Sequence, residues 1–226
     1  MNKELALSGR EDKTRDLLLF SGSNVLAMVR HGEPDLPSSG SFFLGSTDRG
    51  LSRQGRSQAS VLADWASRLS WRGCFCSPVT RARQTADIIC SALGIEPQEK
   101  GELAEINLGE WDGRKKQEIS TEFPGLWEQR EKDLYNFRYP GGESFADLEA
   151  RALPFLTHLI GAGGRWLIVS HAGILRVLLH SIFRIEFSRT FRFDPEYGGI
   201  RLLEKDDGTI SVRGFKELTS FWREQA

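Results

Sequence analysis

Read for its alternation of apolar and polar positions, the chain divides into short apolar runs separated by longer amphipathic stretches. The first run, Val25-Leu26-Ala27-Met28-Val29, ends abruptly in Arg30-His31-Gly32. A run of this length bounded by polar residues and glycine reads as a buried strand of a parallel sheet. Residues 33–50 are rich in Pro, Gly and Ser and read as a loop. Ser52 then caps a helix whose apolar positions, Ala59, Leu62, Ala63, Ala66 and Leu69, recur at helical spacing. Cys74-Phe75-Cys76 is a second strand, ending at Ser77-Pro78. A helix follows over 80–93, with Ala82, Ala86, Ile89 and Leu93 on one face and Gly94 as its stop. Residues 95–98 read as a short edge strand.

Residues 101–142 lack a single period and carry Trp111, Trp127, Tyr135, Phe137 and Tyr139 among many charges. Short helices capping the sheet edge are expected there. Ser144 opens the next helix, with Phe145, Leu148, Ala152, Phe155, Leu156 and Leu159 inward, and Pro154 is expected to kink or break it. After a glycine turn over 161–164, Trp166-Leu167-Ile168-Val169 repeats the opening design, ending in Ser170-His171-Ala172-Gly173 ahead of a helix over 173–182. Runs 200–204 and 210–215 flank Asp207-Gly208, a hairpin signal. Strands alternating with helices imply an α/β fold: a three-layer α/β/α sandwich on a mostly parallel sheet, with at least one antiparallel edge strand and a small cap insertion at about 101–142. Residues 1–24 read as an N-terminal extension, partly disordered or draped on the surface, ahead of the domain at 25–226.

Composition narrows the function classes. At 226 residues and 39% hydrophobic, the chain supports a real core. A net charge of −1 argues against a broad nucleic-acid footprint, so an anion site must be local. The three cysteines, Cys74, Cys76 and Cys90, form no Cys-x-x-Cys pair; a disulfide scaffold or zinc site is disfavoured and a reducing cytoplasm is the simplest setting. Leu17-Leu18-Leu19-Phe20 is too short for a secretory core, and no run approaches the ~20 residues that span a bilayer. No membrane partner is expected, and the C-terminal hairpin offers an edge for pairing into a homodimer.

The chemistry lies where the two His-bearing strands end. Ligands of open α/β sheets bind at the carboxyl ends of the strands, and both His31 and His171 arrive there. Arg30 presents a fork of donors matched to phosphate oxygens, and its fixed charge disfavours a protonated His31, leaving the ring nucleophilic. His171 stands at a helix amino end, which favours anions. Arg81 and Arg83 both lie in the first turn of a helix after a strand; Asp87 can pair with Arg83 four residues on, but helical spacing alone does not single out Arg81. Cleavage of a phosphate ester needs a proton for the departing oxygen, and by sequence Glu105, Glu110 and Asp112 are near-equal sources. A metal site is disfavoured, because the remaining histidines, His158 and His180, have no ligand spacing.

Four segments in order resemble the histidine phosphatase (phosphoglycerate mutase-like) superfamily: 29–33, 77–86, Leu103-x-Glu105 with Gly109-x-Trp111-x-Gly113, and 169–173. Gly45-x-Thr47-Asp48 and Pro140-Gly141-Gly142-Glu143-Ser144 look like its subsidiary motifs. The resemblance implies catalytic roles for His31, Glu105, His171, Arg30 and Arg81. His31 would become a phosphohistidine, Arg30, Arg81 and His171 would bind the phosphoryl group, and Glu105 would donate the proton. It implies no cofactor, no metal and a small phosphorylated metabolite as partner. The glycolytic mutases carry Asn-Glu-Arg around the acid, whereas Glu105 stands between Ala104 and Ile106, and Leu36-Pro37 occupy the place of a mutase Asn. Both departures favour a phosphatase over a mutase-type isomerase, and the filled catalytic positions disfavour a non-catalytic phospho-ligand module. Segments 105–114 and 137–144 look most like the α-ribazole-5′-phosphate phosphatases of cobalamin assembly.

Overall fold

The structure is a computed structural model that describes residues 24–37, 40–206 and 209–214. In chain order its elements are β1 (Asn24–Arg30), α1 (Arg53–Ala66), β2 (Gly73–Cys76), α2 (Thr80–Leu93), β3 (Gln98–Glu99), α3 (Lys116–Glu122), α4 (Pro124–Lys132), α5 (Phe145–Ala162), β4 (Gly164–Ser170), α6 (Ala172–Phe183), α7 (Phe187–Thr190), β5 (Ile200–Asp206) and β6 (Thr209–Gly214). Short 3₁₀ turns occupy Gly101–Leu103, Gly109–Trp111 and Phe191–Phe193.

The six strands form one sheet in the order β3-β2-β4-β1-β5-β6. β1, β2, β3 and β4 run parallel, while β5 pairs antiparallel with both β1 and β6. The expected mixed α/β sandwich is therefore present. The alternation along β1 shows why the sheet needs cover on both faces. Val25, Ala27 and Val29 pack with α1 and α2 through Leu62, Ala66, Ala86 and Ile89, whereas Leu26 and Met28 pack with α5 and α6 through Leu148, Leu156, Ile174 and Leu178. Ser52 and Ser144 cap α1 and α5 as read from the sequence; Ser144 and Asp147 form a reciprocal capping box.

The structure corrects two local expectations. The edge strand sits at Gln98–Glu99 rather than 95–98, because Pro97 has no N–H to offer β2 and pairing begins only after it. Of the kink or break expected at Pro154, the break is absent, since α5 runs continuously through it. Pro154 and Ala150, whose carbonyl loses its intrahelical donor, are both exposed, so the freed carbonyl lies on the solvent-facing side of the helix. The expected N-terminal extension and the Asp207-Gly208 turn lie outside the described residues.

The cap aromatics are mainly structural. Trp111 and Tyr139 are almost fully buried and stack around Phe43, with Trp111 5.3 Å and Tyr139 6.0 Å from it, and Phe137 and Trp127 pack on the same cluster. Residues of the 101–142 segment thus share one core with α5 and α6. Among the described residues no helix is long and apolar enough to cross a membrane.

Candidate active site

β1 and β4 are adjacent and in register, with Arg30 opposite Ser170, so His31 and His171 leave the sheet side by side. Their ring centroids are 5.0 Å apart and both residues are buried. The backbone is held on each side: His31 N donates to Ser170 O, Gly32 N to Thr85 Oγ1, and Gly198 N to His31 O.

The hydrogen bonds assign both tautomers. His31 Nδ1 lies 2.7 Å from Gly32 O, and a carbonyl only accepts, so the proton is on Nδ1 and Nε2 keeps its lone pair. That lone pair accepts from Arg81 Nε at 3.1 Å. Arg81 Nη2 also approaches His171 Nδ1 at 3.3 Å; a guanidinium only donates, so His171 carries its proton on Nε2 and gives it to Ser77 Oγ at 2.8 Å. The remaining bonds of Arg81 run to Gly45 O (Nη2, 2.7 Å) and Thr47 O (Nη1, 3.0 Å). Arg81 is 1% exposed, and among the described residues it alone bridges both imidazoles. Arg83, two residues on and so on another side of the helix, pairs with Asp87 and Glu99 at the surface. Tertiary position thus separates two arginines that helical spacing does not.

Arg30, the residue before His31, has a separate set of partners. Its Nη1 donates to Pro195 O at 2.9 Å, its guanidinium stacks 4.0 Å from the Tyr197 ring, and its Nε is buried with no partner among the described residues. Tyr197 lies 5.4 Å from His31. Sequence reasoning misses Tyr197: it precedes Gly198-Gly199 at the entry to β5 with no periodic context. An aromatic beside a glycine pair at the carboxyl edge of the sheet is the only available signal.

Of the three acids, Glu105 alone reaches the start of α6, the helix that follows His171. Its Oε1 accepts from Ile106 N at 3.0 Å and its Oε2 from Gly173 N at 3.4 Å, at the amino end of α6. An added Cβ at 173 would lie 2.1 Å from Glu105 Oε1, so any larger residue there would displace the Glu105 carboxylate from its present position. Glu110 is exposed, and Asp112 is committed to the 45–47 loop. Arg151 holds the approach to Glu105, donating to the carbonyls of Gly101, Glu102 and Ala104 and to both oxygens of Glu143.

Burial pushes the His31 and His171 rings well below the ordinary imidazole value, and the charges of Arg81 and Arg30 push further the same way. Burial also lowers Arg81, opposed by Glu105, Tyr197 and Asp112, and lowers Arg30, opposed by Tyr197 and Asp194. The site therefore holds two neutral imidazoles between two guanidinium groups, an arrangement suited to a tetrahedral anion. Among the described residues no cluster of three His, Cys, Asp or Glu is placed to hold a metal.

The depressed imidazoles also set an acid limit on folding. Below an unfolded-state value of 6.5 the unfolded chain binds protons that the native rings refuse, so stability present above pH 6.5 is lost as pH falls. Each ring contributes at most about 1.4 kcal/mol per pH unit. Thermal melts between about pH 7.5 and pH 5.5 are expected to show a falling midpoint, and the double variant His31→Gln, His171→Gln a flatter slope. An unchanged slope in that variant would assign acid sensitivity to other groups.

The fold and the site define a class: an α/β/α protein that gathers two histidines and two arginines at one sheet edge. The sequence profile of the histidine phosphatase superfamily (branch 1) matches residues 26–217, and the chain belongs to that superfamily. It is 33% identical over 157 residues to a chicken (Gallus gallus) 6-phosphofructo-2-kinase/fructose-2,6-bisphosphatase, covering 69% of this chain but 32% of the relative. The chain thus spans about a third of the length of that bifunctional relative. Phosphoserine phosphatase 1 of Hydrogenobacter thermophilus is 26% identical over 206 residues, covering 88% of this chain and 96% of the relative. The α-ribazole phosphatase of Shigella flexneri superposes with a TM-score of 0.76 over 84% of this chain and 95% of its own, at 23% identity, a likeness of fold.

Proposed function

We propose that this protein is a metal-independent phosphomonoesterase that hydrolyses a small phosphate ester through a phosphohistidine on His31. The observation that carries the reading is Arg81, which donates to His31 Nε2 and His171 Nδ1 at once, so that a phosphoryl group engaging those donors would meet both rings. An entering phosphate takes over those two donors, which frees the Nε2 lone pair. Nε2 attacks phosphorus, the ester P–O bond breaks, and Glu105 protonates the departing oxygen. His171, Arg30 and Arg81 spread the charge of the transferring group. Water then attacks the phosphohistidine, Glu105 takes its proton, the P–N bond breaks, and inorganic phosphate leaves with His31 neutral again.

The motif resemblance of segments 105–114 and 137–144 and the likeness to the Shigella fold support α-ribazole 5′-phosphate as the ester to test first. The purified protein is expected to release phosphate from p-nitrophenyl phosphate at a rate EDTA does not change. A panel comparing nucleotide-like with sugar-acid esters then ranks substrates. Binding of phosphate with no release from any ester would instead make it a phospho-ligand module, and transfer between positions of a primed bisphosphate without net release a mutase.

Glu105→Gln gives a sharper test of the proton donor. Alkyl phosphates, whose leaving oxygen needs the proton, should lose about 10²-fold in kcat or more, whereas p-nitrophenyl phosphate, which leaves as a stable anion, should lose far less. Equal losses on both would remove Glu105 from that role.

A further inference from the structure

We propose that Asp112 is the positioning residue of the phosphoryl clamp: through the 45–47 loop it holds the Arg81 guanidinium in register with the two histidines. The proposal rests on the reading of Arg81 as that clamp. Both carboxylate oxygens of Asp112 are engaged by one short loop. Oδ1 accepts from Gly45 N at 2.7 Å, and Oδ2 from Ser46 Oγ at 2.9 Å and Thr47 N at 2.6 Å. The carbonyls of the same two loop residues, Gly45 O and Thr47 O, receive Nη2 and Nη1 of Arg81 at 2.7 and 3.0 Å. Each of these two residues therefore has the Asp112 carboxylate on its N–H and the Arg81 guanidinium on its C=O, so one loop backbone is pinned from both sides.

Three further contacts make the loop a rigid spacer. An added Cβ at Gly45 would meet Ile106 O at 2.4 Å, so the loop lies against the segment that carries Glu105. Thr80 N donates to Asp48 Oδ1 at 3.0 Å, tying the far end of the loop to the start of the helix that bears Arg81. Gly113 N donates to Phe43 O at 2.8 Å, joining the residue after Asp112 to the stretch of chain that enters the loop.

The indirect arrangement has a chemical reason. A carboxylate bound directly to Arg81 would occupy the paired N–H groups that a phosphoryl group needs. Acting through carbonyls, Asp112 supplies negative charge behind the guanidinium and leaves the Nε and Nη2 donors facing the imidazoles. Three donors converge on Asp112, so the acceptor-only carboxylate is required. An amide would turn an NH₂ group toward at least one N–H or O–H.

A double-mutant cycle tests this. Asp112→Asn is expected to lower kcat/KM for p-nitrophenyl phosphate about 30- to 100-fold, the scale on which small misplacements of reacting groups act, and to weaken binding of inorganic phosphate, measured by calorimetry, about tenfold. In an Arg81→Ala background the same substitution should cost less than about threefold, because the residue it positions is gone. Asp112→Glu keeps the charge and should recover part of the loss. A loss of full size in the Arg81→Ala background, or wild-type activity and phosphate binding in Asp112→Asn, would overturn the proposal. If Asp112→Asn does not fold, Ser46→Ala, which removes one of the three donors, carries the same cycle on a smaller scale, and additivity with Arg81→Ala would again overturn it. Should the wild-type protein hydrolyse no ester, the hydrolase reading fails, while the phosphate-binding arm still decides the role of Asp112.

Discussion

His31→Ala is expected to abolish turnover: kcat for p-nitrophenyl phosphate should fall about 10⁴-fold or more, as when the nucleophile of a covalent mechanism is removed. The size follows from what the ring supplies. Its Nδ1 proton is fixed on Gly32 O, so Nε2 is always the free base, and burial between two guanidinium groups keeps it unprotonated well below pH 6.5. His171 differs in which nitrogen is left to accept: its Nε2 proton goes to Ser77 Oγ, so the nitrogen facing Arg81 is Nδ1, whereas in His31 it is Nε2. Quenched wild-type enzyme should contain an acid-labile, base-stable phosphoryl group on the peptide with His31, missing from the variant. Residual activity within tenfold of wild type in a folded His31→Ala protein would exclude the phosphohistidine route. Since removal of the buried ring also relieves an acid-sensitive group, the drop in melting midpoint from about pH 7.5 to pH 5.5 should be no larger in the variant than in wild type.

The elements that depend on nearest neighbours along the chain are legible in the amino-acid sequence alone. The strand leading to His31 is a saturated apolar run, the helix after Ser52 has its cap and its stripe, and Gly94 ends the helix bearing Arg81 with φ of 65°. The pairing of Arg83 with Asp87 is legible for the same reason, being one turn of helix. What stays closed to sequence reasoning depends on contacts between distant residues. Glu105, Glu110 and Asp112 differ little in local sequence; they are told apart by Gly173 on α6, by solvent, and by the 45–47 loop, none of which local spacing encodes. Resemblance, not spacing, singles out Arg81, and its geometry rests on carbonyls 34 and 36 residues earlier in the chain. Pro97 and Pro154 show the converse limit. Each is a visible breaker, but one only displaces a two-residue strand and the other rides on a solvent-facing helix surface.

Arg81→Ala should cost about 10³-fold in kcat/KM, the scale at which a single arginine stabilises a phosphoryl-transfer transition state. The expectation draws on geometry that no other described residue duplicates. Arg30 is anchored to Pro195 O and Tyr197, whereas Arg81 stands against both imidazoles. Removing it also leaves Gly45 O and Thr47 O without their donor, which costs about 1–3 kcal/mol for each carbonyl that water cannot reach. Loss of a buried charge offsets part of that cost, because burial already lowers the Arg81 guanidinium. The midpoint of unfolding should therefore move far less than the rate. Arg81→Lys separates charge from shape. A lysine keeps the positive charge but presents one nitrogen, which cannot meet two carbonyls and two imidazoles together, so it should recover less than about tenfold of the lost rate. Guanidinium ion added to Arg81→Ala supplies the missing planar fork and should restore more activity than an equal concentration of ammonium. If Arg81→Lys instead matched wild type, positive charge alone would suffice, and the bridging geometry between His31 and His171 would lose its place in the mechanism.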